Sequence, residues 1–216
     1  MIIKKFLHSC ILIEEAGKKL LIDPGRFSFI ENAVKPEDIG PVDVVILTHK
    51  HPDHYSPEAL KALYALRPFT IVANTDVGEM LLRDGFQYES IRAGEEGNVN
   101  GFLIEPLVAP HELIPAESVQ NSAYLINDKF IHTGDSLTVS GISSCEVLAL
   151  PVAGPWLKLV EAIELAYLLK PKIVIPIHDW IIKDVMLDRI YAMCQNKFES
   201  HGIAFKPLKL GEKLEV

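Results

Sequence analysis

The chain has 216 residues, 49% of them apolar, a size at which roughly 70% of the unfolded surface is buried on folding, so a compact globular fold is expected. Lys and Arg number 21 against 29 Asp and Glu, and the net charge of −8 repels nucleic-acid phosphate, which disfavours a general DNA or RNA binder. No apolar run approaches the roughly 18–20 uncharged residues that cross a bilayer, so no membrane insertion is expected.

Lys4 and Lys5 followed by Phe6 to Ile13 imitate a signal peptide, but His8 and Ser9 interrupt the apolar stretch and Glu14-Glu15 stands where a cleavage site would. A buried strand opening the fold is expected there instead. Cys10, Cys145 and Cys194 are odd in number, far apart and without C-x-x-C spacing, and read as buried thiols in a reducing cytoplasm.

Residues 1–23 form short apolar runs parted by Glu15-Ala16-Gly17-Lys18, a hairpin whose second arm is Lys19 to Asp23. Pro24-Gly25 starts a loop reaching Pro41, after which Val42 to Leu47 has the continuous apolarity of a strand covered on both faces. Pro57 to Leu66 follows helical spacing with Pro57 in the first turn, Phe69 to Ala73 is a strand, and Thr75 to Arg83 is a short helix ended by Gly85. From Phe86 to Ile131 the helical period gives way to a β meander that includes Phe102 to Val108 and Ala123 to Ile126. Trp156 to Leu169 restores helical spacing, Lys172 to Pro176 is a buried strand, and Ile181 to Phe198 is a long amphipathic helix. This order fits an α+β architecture of two sheets packed face to face with helices outside, in a single domain over 1–216.

The densest chemistry follows the strand that ends at Leu47. Thr48-His49-Lys50-His51-Pro52-Asp53-His54 places three imidazoles and a carboxylate within six residues. Residues at i and i+2 of an extended segment point the same way, so His49 and His51 can share one metal, while Asp53 and His54, beyond Pro52, are free to face a second. Imidazole nitrogen and carboxylate oxygen without sulfur suit Zn²⁺, Mn²⁺ or Fe²⁺. Two metals need further donors, and His111, Asp135 and His178 each lie at the end of another apolar strand, where α/β folds gather their sites.

With these residues in view, the sequence resembles the metallo-β-lactamase fold superfamily. The carriers are H-x-H-x-D-H at His49, His51, Asp53 and His54, then His111, then Asp135 in Thr133-Gly134-Asp135-Ser136, then His178 in Pro176-Ile177-His178-Asp179. The opening His8-Ser9-Cys10-Ile11-Leu12-Ile13 and Leu20-Leu21-Ile22-Asp23-Pro24 are similar to those of small metal-dependent hydrolases related to ascorbate-6-phosphate lactonase. The resemblance implies a four-layer αββα sandwich of two mixed β-sheets, with His49, His51 and His111 on one metal, Asp53, His54 and His178 on the other, and Asp135 bridging. It further implies two divalent transition ions per chain, Zn or Mn foremost and Fe also compatible. Where the family often carries a glycine-rich stretch after the late strand, this chain has Ala153-Gly154-Pro155-Trp156.

Other signals are weaker. Gly134-Asp135-Ser136-Leu137 spells the motif of a serine esterase family, but that family places it near the N-terminus and needs a D-x-x-H that this chain lacks. His178-Asp179 follows a β-branched run, the wrong context for helical HD phosphohydrolases, and the chain is too short and too rich in meander for an amidohydrolase barrel. His132 reads as a buried residue behind Asp135, and His201, beside Gly202, as a helix-end cap.

With no serine or cysteine nucleophile, a metal-bridging hydroxide is expected to cleave a small ester, lactone or phosphodiester, Asp53 orienting it and Asp135 sharing the catalytic role. Two divalent ions against Asp53, Asp135 and one hydroxide leave the site locally positive, which suits a small anionic substrate. His8, Arg26 and Trp156 are candidates for the substrate pocket, with Lys50 and Lys158 as further cations, and homo-oligomerisation is left open. The alternatives are a mononuclear iron dioxygenase of the same fold and a non-catalytic metal-binding module.

Overall fold

Thirteen strands and six helices alternate along residues 1–216, all of which the computed structural model describes. The first sheet has the order β13-β1-β2-β3-β4-β5, built from β1 (Ile2–Lys5), β2 (Ile11–Glu15), β3 (Lys18–Ile22), β4 (Val44–Leu47), β5 (Thr70–Ala73) and β13 (Lys213–Glu215). Its hairpin strands are antiparallel, and β3, β4 and β5 run parallel. The second sheet has the order β12-β11-β10-β9-β8-β7-β6, with β6 (Gly97–Val99), β7 (Phe102–Val108), β8 (Ser122–Ile126), β9 (Phe130–His132), β10 (Val147–Pro151), β11 (Ile173–Ile177) and β12 (Ala204–Phe205). The meander from β6 to β9 is antiparallel, and β9 to β12 are parallel. Both sheets are mixed, as expected.

Three apolar layers hold the molecule together. The central one interleaves Ile11, Ile13, Leu20, Val44 and Ile46 of the first sheet with Phe102, Ile104, Tyr124, Phe130 and Ile175 of the second. Outside the first sheet, Leu12, Leu21, Val45 and Ile71 pack under α3 (Pro57–Leu66) and α4 (Thr75–Arg83) through Leu60, Leu63, Val77 and Leu81. Outside the second, Leu148, Leu150 and Val174 pack under α5 (Leu159–Leu169) and α6 (Asp184–Glu199) through Ala162, Leu165, Ala166, Cys194 and Phe198. Alternate residues of one strand thus serve two layers, which is why β4 is apolar at every position and wholly buried. The four-layer αββα sandwich is what results.

The helices start where capping chemistry allows. Ser56 accepts a hydrogen bond from the Ala59 amide at 3.2 Å and Pro57 opens α3, while Asn74 accepts from the Val77 amide at 3.1 Å to open α4. Two expected helices begin later than their apolar spacing suggests. The first starts at Leu159, because Trp156 turns toward the strand ends, and the second at Asp184, because Ile181 to Lys183 form a turn. The segment from Pro24 to Pro41, expected as a loop, contains α1 (Arg26–Phe29), a 3-10 turn (Ile30–Asn32) and α2 (Pro36–Ile39), each too short to show a period. No helix is long and apolar enough to cross a membrane.

Candidate metal centre

The C-terminal ends of β4, β7, β9 and β11 meet at one edge of the sandwich, and the loops that leave them carry the polar residues. After β4 the chain folds into a tight turn in which the His54 and Tyr55 amides donate to the His51 carbonyl at 2.9 and 2.8 Å. This turn is wedged against Gly25, whose absent side chain leaves room for the Asp53 carbonyl; a Cβ there would stand 1.8 Å from that oxygen.

Two groups of donor atoms result. His49, His51, His111 and Asp135 form one; His8, Asp53, His54 and His178 form the other, the donor atoms within each lying no more than 4.8 Å apart. Asp135 sits between them. Its carboxylate is 3.8 Å from His49 Nε2 and 3.6 Å from His111 Nε2 on one side, and 3.1 Å from His54 Nε2 and 3.2 Å from His178 Nε2 on the other. All seven residues expected as ligands therefore converge, and His8 joins them. Expected in the substrate pocket, His8 is fully buried, with Nε2 3.1 Å from Asp53 Oδ2.

The other expected pocket residues divide. The Trp156 ring lies edge-on to His178 and His111, with centroids 5.3 and 6.1 Å away, and walls one side of the centre. Arg26 is exposed and opens into a cleft of about 580 Å³ with Phe29, Ile30, Glu31, Ser56 and Glu58, while its amide donates to Pro52 in the ligand turn at 2.7 Å. Lys50 and Lys158 are paired with Asp76 and Glu161, both at 2.7 Å. Ser136 is buried with its hydroxyl donated to the Thr138 carbonyl at 2.8 Å, so it is not poised as a nucleophile. His132 is buried and His201 reaches the Lys197 carbonyl at a helix end, as expected of both.

A layer of residues with no motif of their own aims these donors. Asp23 accepts from the Thr48 amide (2.8 Å), the Thr48 hydroxyl (2.7 Å) and His54 Nδ1 (2.7 Å). His49 Nδ1 meets Thr48 Oγ1 at 3.1 Å, His111 Nδ1 meets the Glu112 carbonyl at 2.6 Å, and His178 Nδ1 meets the Ala153 carbonyl at 2.7 Å. Asn121 donates to the Ala109 and Thr133 carbonyls and accepts from the Asp135 amide at 3.2 Å, tying together the loops that carry His111 and Asp135. Asn74 donates to the Thr48 carbonyl at 2.9 Å. Asp23 had a sequence signal, a carboxylate at the end of an apolar strand; Asn121 had none.

Charge is concentrated here. Burial opposes ionisation of Asp53 and Asp135, but the imidazoles around them, His54 foremost, outweigh it and hold both carboxyls well below the usual range. Burial also opposes charge on His54 and His178, yet the facing carboxylates, Asp135 foremost, lift His54 well above the usual imidazole range and His178 to about 9. Burial and the neighbouring His54 push His49 well down, and burial takes His8 down to about 4.

Seven buried side-chain nitrogen and oxygen atoms in the whole chain lack a hydrogen-bond partner. Six belong to these donors: Nε2 of His49, His54, His111 and His178, Nδ1 of His8, and Oδ1 of Asp135; the seventh is Oγ of Ser9, next to His8. Buried polar atoms left bare cost roughly 1–3 kcal/mol each, so the five gathered around Asp135, four imidazole Nε2 and its own Oδ1, call for a ligand. Nitrogen and oxygen donors without sulfur fit a divalent transition metal.

Comparison with known proteins agrees with this geometry. The model of the β-lactamase superfamily domain matches residues 2–178. The chain is 31% identical over 185 residues to Protein Rv0786c of Mycobacterium tuberculosis, covering 82% of this chain and 83% of that one. It is 25% identical over 224 residues to a UPF0173 metal-dependent hydrolase of Carboxydothermus hydrogenoformans, covering 95% of each. Igni18, described as a novel metallo hydrolase from Ignicoccus hospitalis, superposes with a TM-score of 0.75 at 20% identity over 99% of this chain and 97% of that one. With the αββα sandwich and its converging His and Asp donors, the match over residues 2–178 shows that the chain belongs to the β-lactamase superfamily and has the metallo-β-lactamase fold.

Proposed function

We propose that the chain is a metal-dependent hydrolase holding two divalent transition ions, Zn or Mn, one on His49, His51 and His111, the other on Asp53, His54 and His178, with Asp135 shared. The observation that carries this reading is the set of bare imidazole nitrogens lying 3.1 to 3.8 Å from the Asp135 carboxylate on its two sides. Donors bound at about 2.0–2.2 Å from a common tetrahedral ion stand roughly 3.3–3.6 Å from one another, close to the 3.1–3.8 Å between the four imidazole nitrogens and the Asp135 carboxylate. The Carboxydothermus protein is described as a metal-dependent hydrolase, which supports the hydrolase part of this reading.

Bound divalent ions would supply a water acidified toward neutrality and positive charge against the scissile oxygen. The chain's own residues supply the rest. Asp53, with its side chain partly open to solvent, would orient that water, while Asp135, buried between the donor groups, would serve both. Trp156 excludes bulk water from one wall. A small ester, lactone or phosphodiester fits this chemistry, and the reading takes residues 1–216 as one hydrolase domain working in the cytoplasm.

Metal analysis of purified protein tests the proposal first, followed by panels of esters, lactones, amides and phosphodiesters with Mn²⁺ and Zn²⁺. Close to two ions per chain and turnover abolished by chelation are expected. Less than about half an ion per chain after metal-replete expression would overturn it. A single tightly held iron with oxygen uptake on a persulfide would mark oxygenase chemistry instead.

A further inference from the structure

One imidazole in the cluster is hydrogen-bonded the opposite way from its neighbours. His49, His54, His111 and His178 commit Nδ1 to Thr48, Asp23, Glu112 and Ala153 and leave Nε2 bare. His8 instead has Nε2 on Asp53 Oδ2 and leaves Nδ1 bare, with no side-chain atom of its own exposed. A histidine that binds a metal ordinarily donates its other ring N–H to a polar partner. Ligation by His8 through Nε2 would strand a buried N–H, whereas donation from Nε2 leaves only a lone pair on Nδ1, and orphaned buried N–H groups are the rarer of the two.

The backbone around His8 is arranged to hold that donor in place. His8 adopts φ +60° in the turn between β1 and β2, a left-handed conformation that a non-glycine residue keeps only where its surroundings over-determine it. Three contacts do so. The His8 carbonyl accepts from the His178 amide at 3.3 Å, the Ser9 carbonyl from His132 Nε2 at 2.9 Å, and the Leu7 carbonyl from the Ser28 hydroxyl at 3.0 Å. Phe27 closes the remaining side with its ring centroid 5.2 Å from that of His8. Asp53 needs an anchor of this kind, because its side chain is 19% accessible, against 2% for Asp135. Its Oδ2 is 3.3 Å from His178 Nε2 and 3.7 Å from His54 Nε2.

We propose that His8 is a positioning residue, neither a metal ligand nor a proton donor to a leaving group: its Nε2–H donates to Asp53 Oδ2 and fixes that carboxylate toward His54 and His178. Being fully buried, with its donor committed, it has no path to a substrate. The inference rests on the metal-centre reading above and assigns the half of the centre built on Asp53 a support drawn from the first turn of the chain.

The test is Co²⁺ loading of the metal-free full-length protein and of His8→Gln and His8→Leu, followed by ion stoichiometry, chelator competition and the visible absorption spectrum. His8→Gln carries an amide N–H that reaches where Nε2 does, and is expected to keep both ions, the wild-type spectrum and an affinity within about threefold. His8→Leu is expected to weaken one of the two ions by roughly 10- to 100-fold, the usual effect of losing a group that orients a ligand. His8→Asn tolerates the left-handed backbone but is too short to reach Asp53, and replaces His8→Leu if that variant does not fold. Wild-type affinity and spectrum in the Leu or Asn variant would overturn the proposal. So would loss of an ion and an altered spectrum in the Gln variant, which would make His8 a ligand. Failure of the wild-type protein to bind Co²⁺ would sink the metal centre itself, a distinguishable result.

Discussion

His54 Nδ1 lies 2.7 Å from Asp23 Oδ2, and both side chains are wholly buried. The carboxylate sets the tautomer of the neutral imidazole that a metal would bind: with Nδ1 donating to Asp23, the Nε2 lone pair faces Asp53 and Asp135. The same oxygen also accepts from the Thr48 hydroxyl, and the other accepts the Thr48 amide, so one residue fixes both the start of the ligand turn and its last imidazole.

Asp23→Asn therefore separates geometry from charge. Asp23 has φ +49°, which Asn also tolerates, so the backbone is kept. Asn replaces one of the two accepting oxygens with an NH₂, which must face either the Thr48 amide or His54 Nδ1; facing His54, it drives the proton to Nε2, where it blocks ligation. The expected result is a roughly 10- to 100-fold loss of affinity for one ion of the pair, with the other retained. Isothermal titration of the metal-free variant checks it, and two sites of unchanged affinity would show that Asp23 does not set the tautomer.

Asp135→Ala and His51→Ala are expected to differ in kind. His51 is partly exposed and belongs to one donor group, whereas Asp135 faces both. His51→Ala should hold about one ion per chain and Asp135→Ala close to none, with kcat/KM down by at least about 10³-fold in both, the scale expected when a group essential to metal-assisted hydrolysis is removed. Equal ion content in the two variants would contradict a shared role for Asp135.

The metal-free protein should lose stability as pH rises through the neutral range. His178 is lifted to about 9, above its unfolded value of 6.5, so its stabilising contribution is full below pH 6.5 and is lost as pH rises toward 9; His54 shifts in the same direction. The imidazoles held low, His8, His49, His51 and His132, act below pH 6.5 and leave this window untouched. Each bound proton is worth about 1.4 kcal/mol per pH unit, so between pH 7 and 8.5 His178 alone takes away roughly 2 kcal/mol, or about 4–8 °C in Tm. Calorimetry after chelation should show that fall, and the metal-loaded protein, whose imidazoles are already neutral, should not. A flat Tm in the metal-free form would refute the charge assignment.

Gly134→Ala tests the tie between Asp135 and Asn121. Gly134 has φ +58°, and a Cβ there would lie 2.1 Å from Asn121 Oδ1 and 2.9 Å from Thr48 Cβ. Asn121 would have to give up the Asp135 amide and the two carbonyls it joins. A destabilisation of roughly 2–4 kcal/mol is expected from the backbone strain and the broken hydrogen bonds, together with weakened metal binding. Denaturant unfolding measures the first, and a variant within about 0.5 kcal/mol of wild type would mean that Asn121 is not a structural tie.

These supports show where sequence reading reaches its limit. His49, His51, Asp53 and His54 were legible because metal chemistry restricts residue type and because the apolar run of β4 marks a strand end. The α3 and α4 helices were legible through their apolar spacing, Pro57 in the first turn of one and Gly85 at the end of the other. Asp23, Asn121 and the orientation of His8 depend on which loops meet, and their partners lie 31, 14 and 45 residues away along the chain. The single-turn helices between Arg26 and Ile39 and the strands Ala204–Phe205 and Lys213–Glu215 are too short for periodicity, and only pairing or packing with distant residues defines them.

Specificity is expected to divide between Trp156 and Arg26. Trp156 stands against His178 and His111 and forms one wall of the centre, so a substrate bound there is expected to meet its ring; Trp156→Ala should raise KM about 5- to 20-fold across esters, lactones and phosphodiesters while ion content stays unchanged. Arg26 is different. Its guanidinium makes no ion pair, whereas Lys50 and Lys158 are neutralised by Asp76 and Glu161, which leaves Arg26 as the cation beside the ligand turn with charge to spare. Its cleft also holds Glu31 and Glu58, so the attraction it offers is modest. Arg26→Ala should therefore raise KM for a phosphodiester by about 3- to 10-fold, leave a neutral lactone within about twofold, and lose its effect at high salt, as a screened surface charge does. Steady-state kinetics on the two substrates at low and high ionic strength decide the matter. If the phosphodiester and lactone respond alike to Arg26→Ala, the residue has no part in selecting anions, and specificity rests on the Trp156 wall.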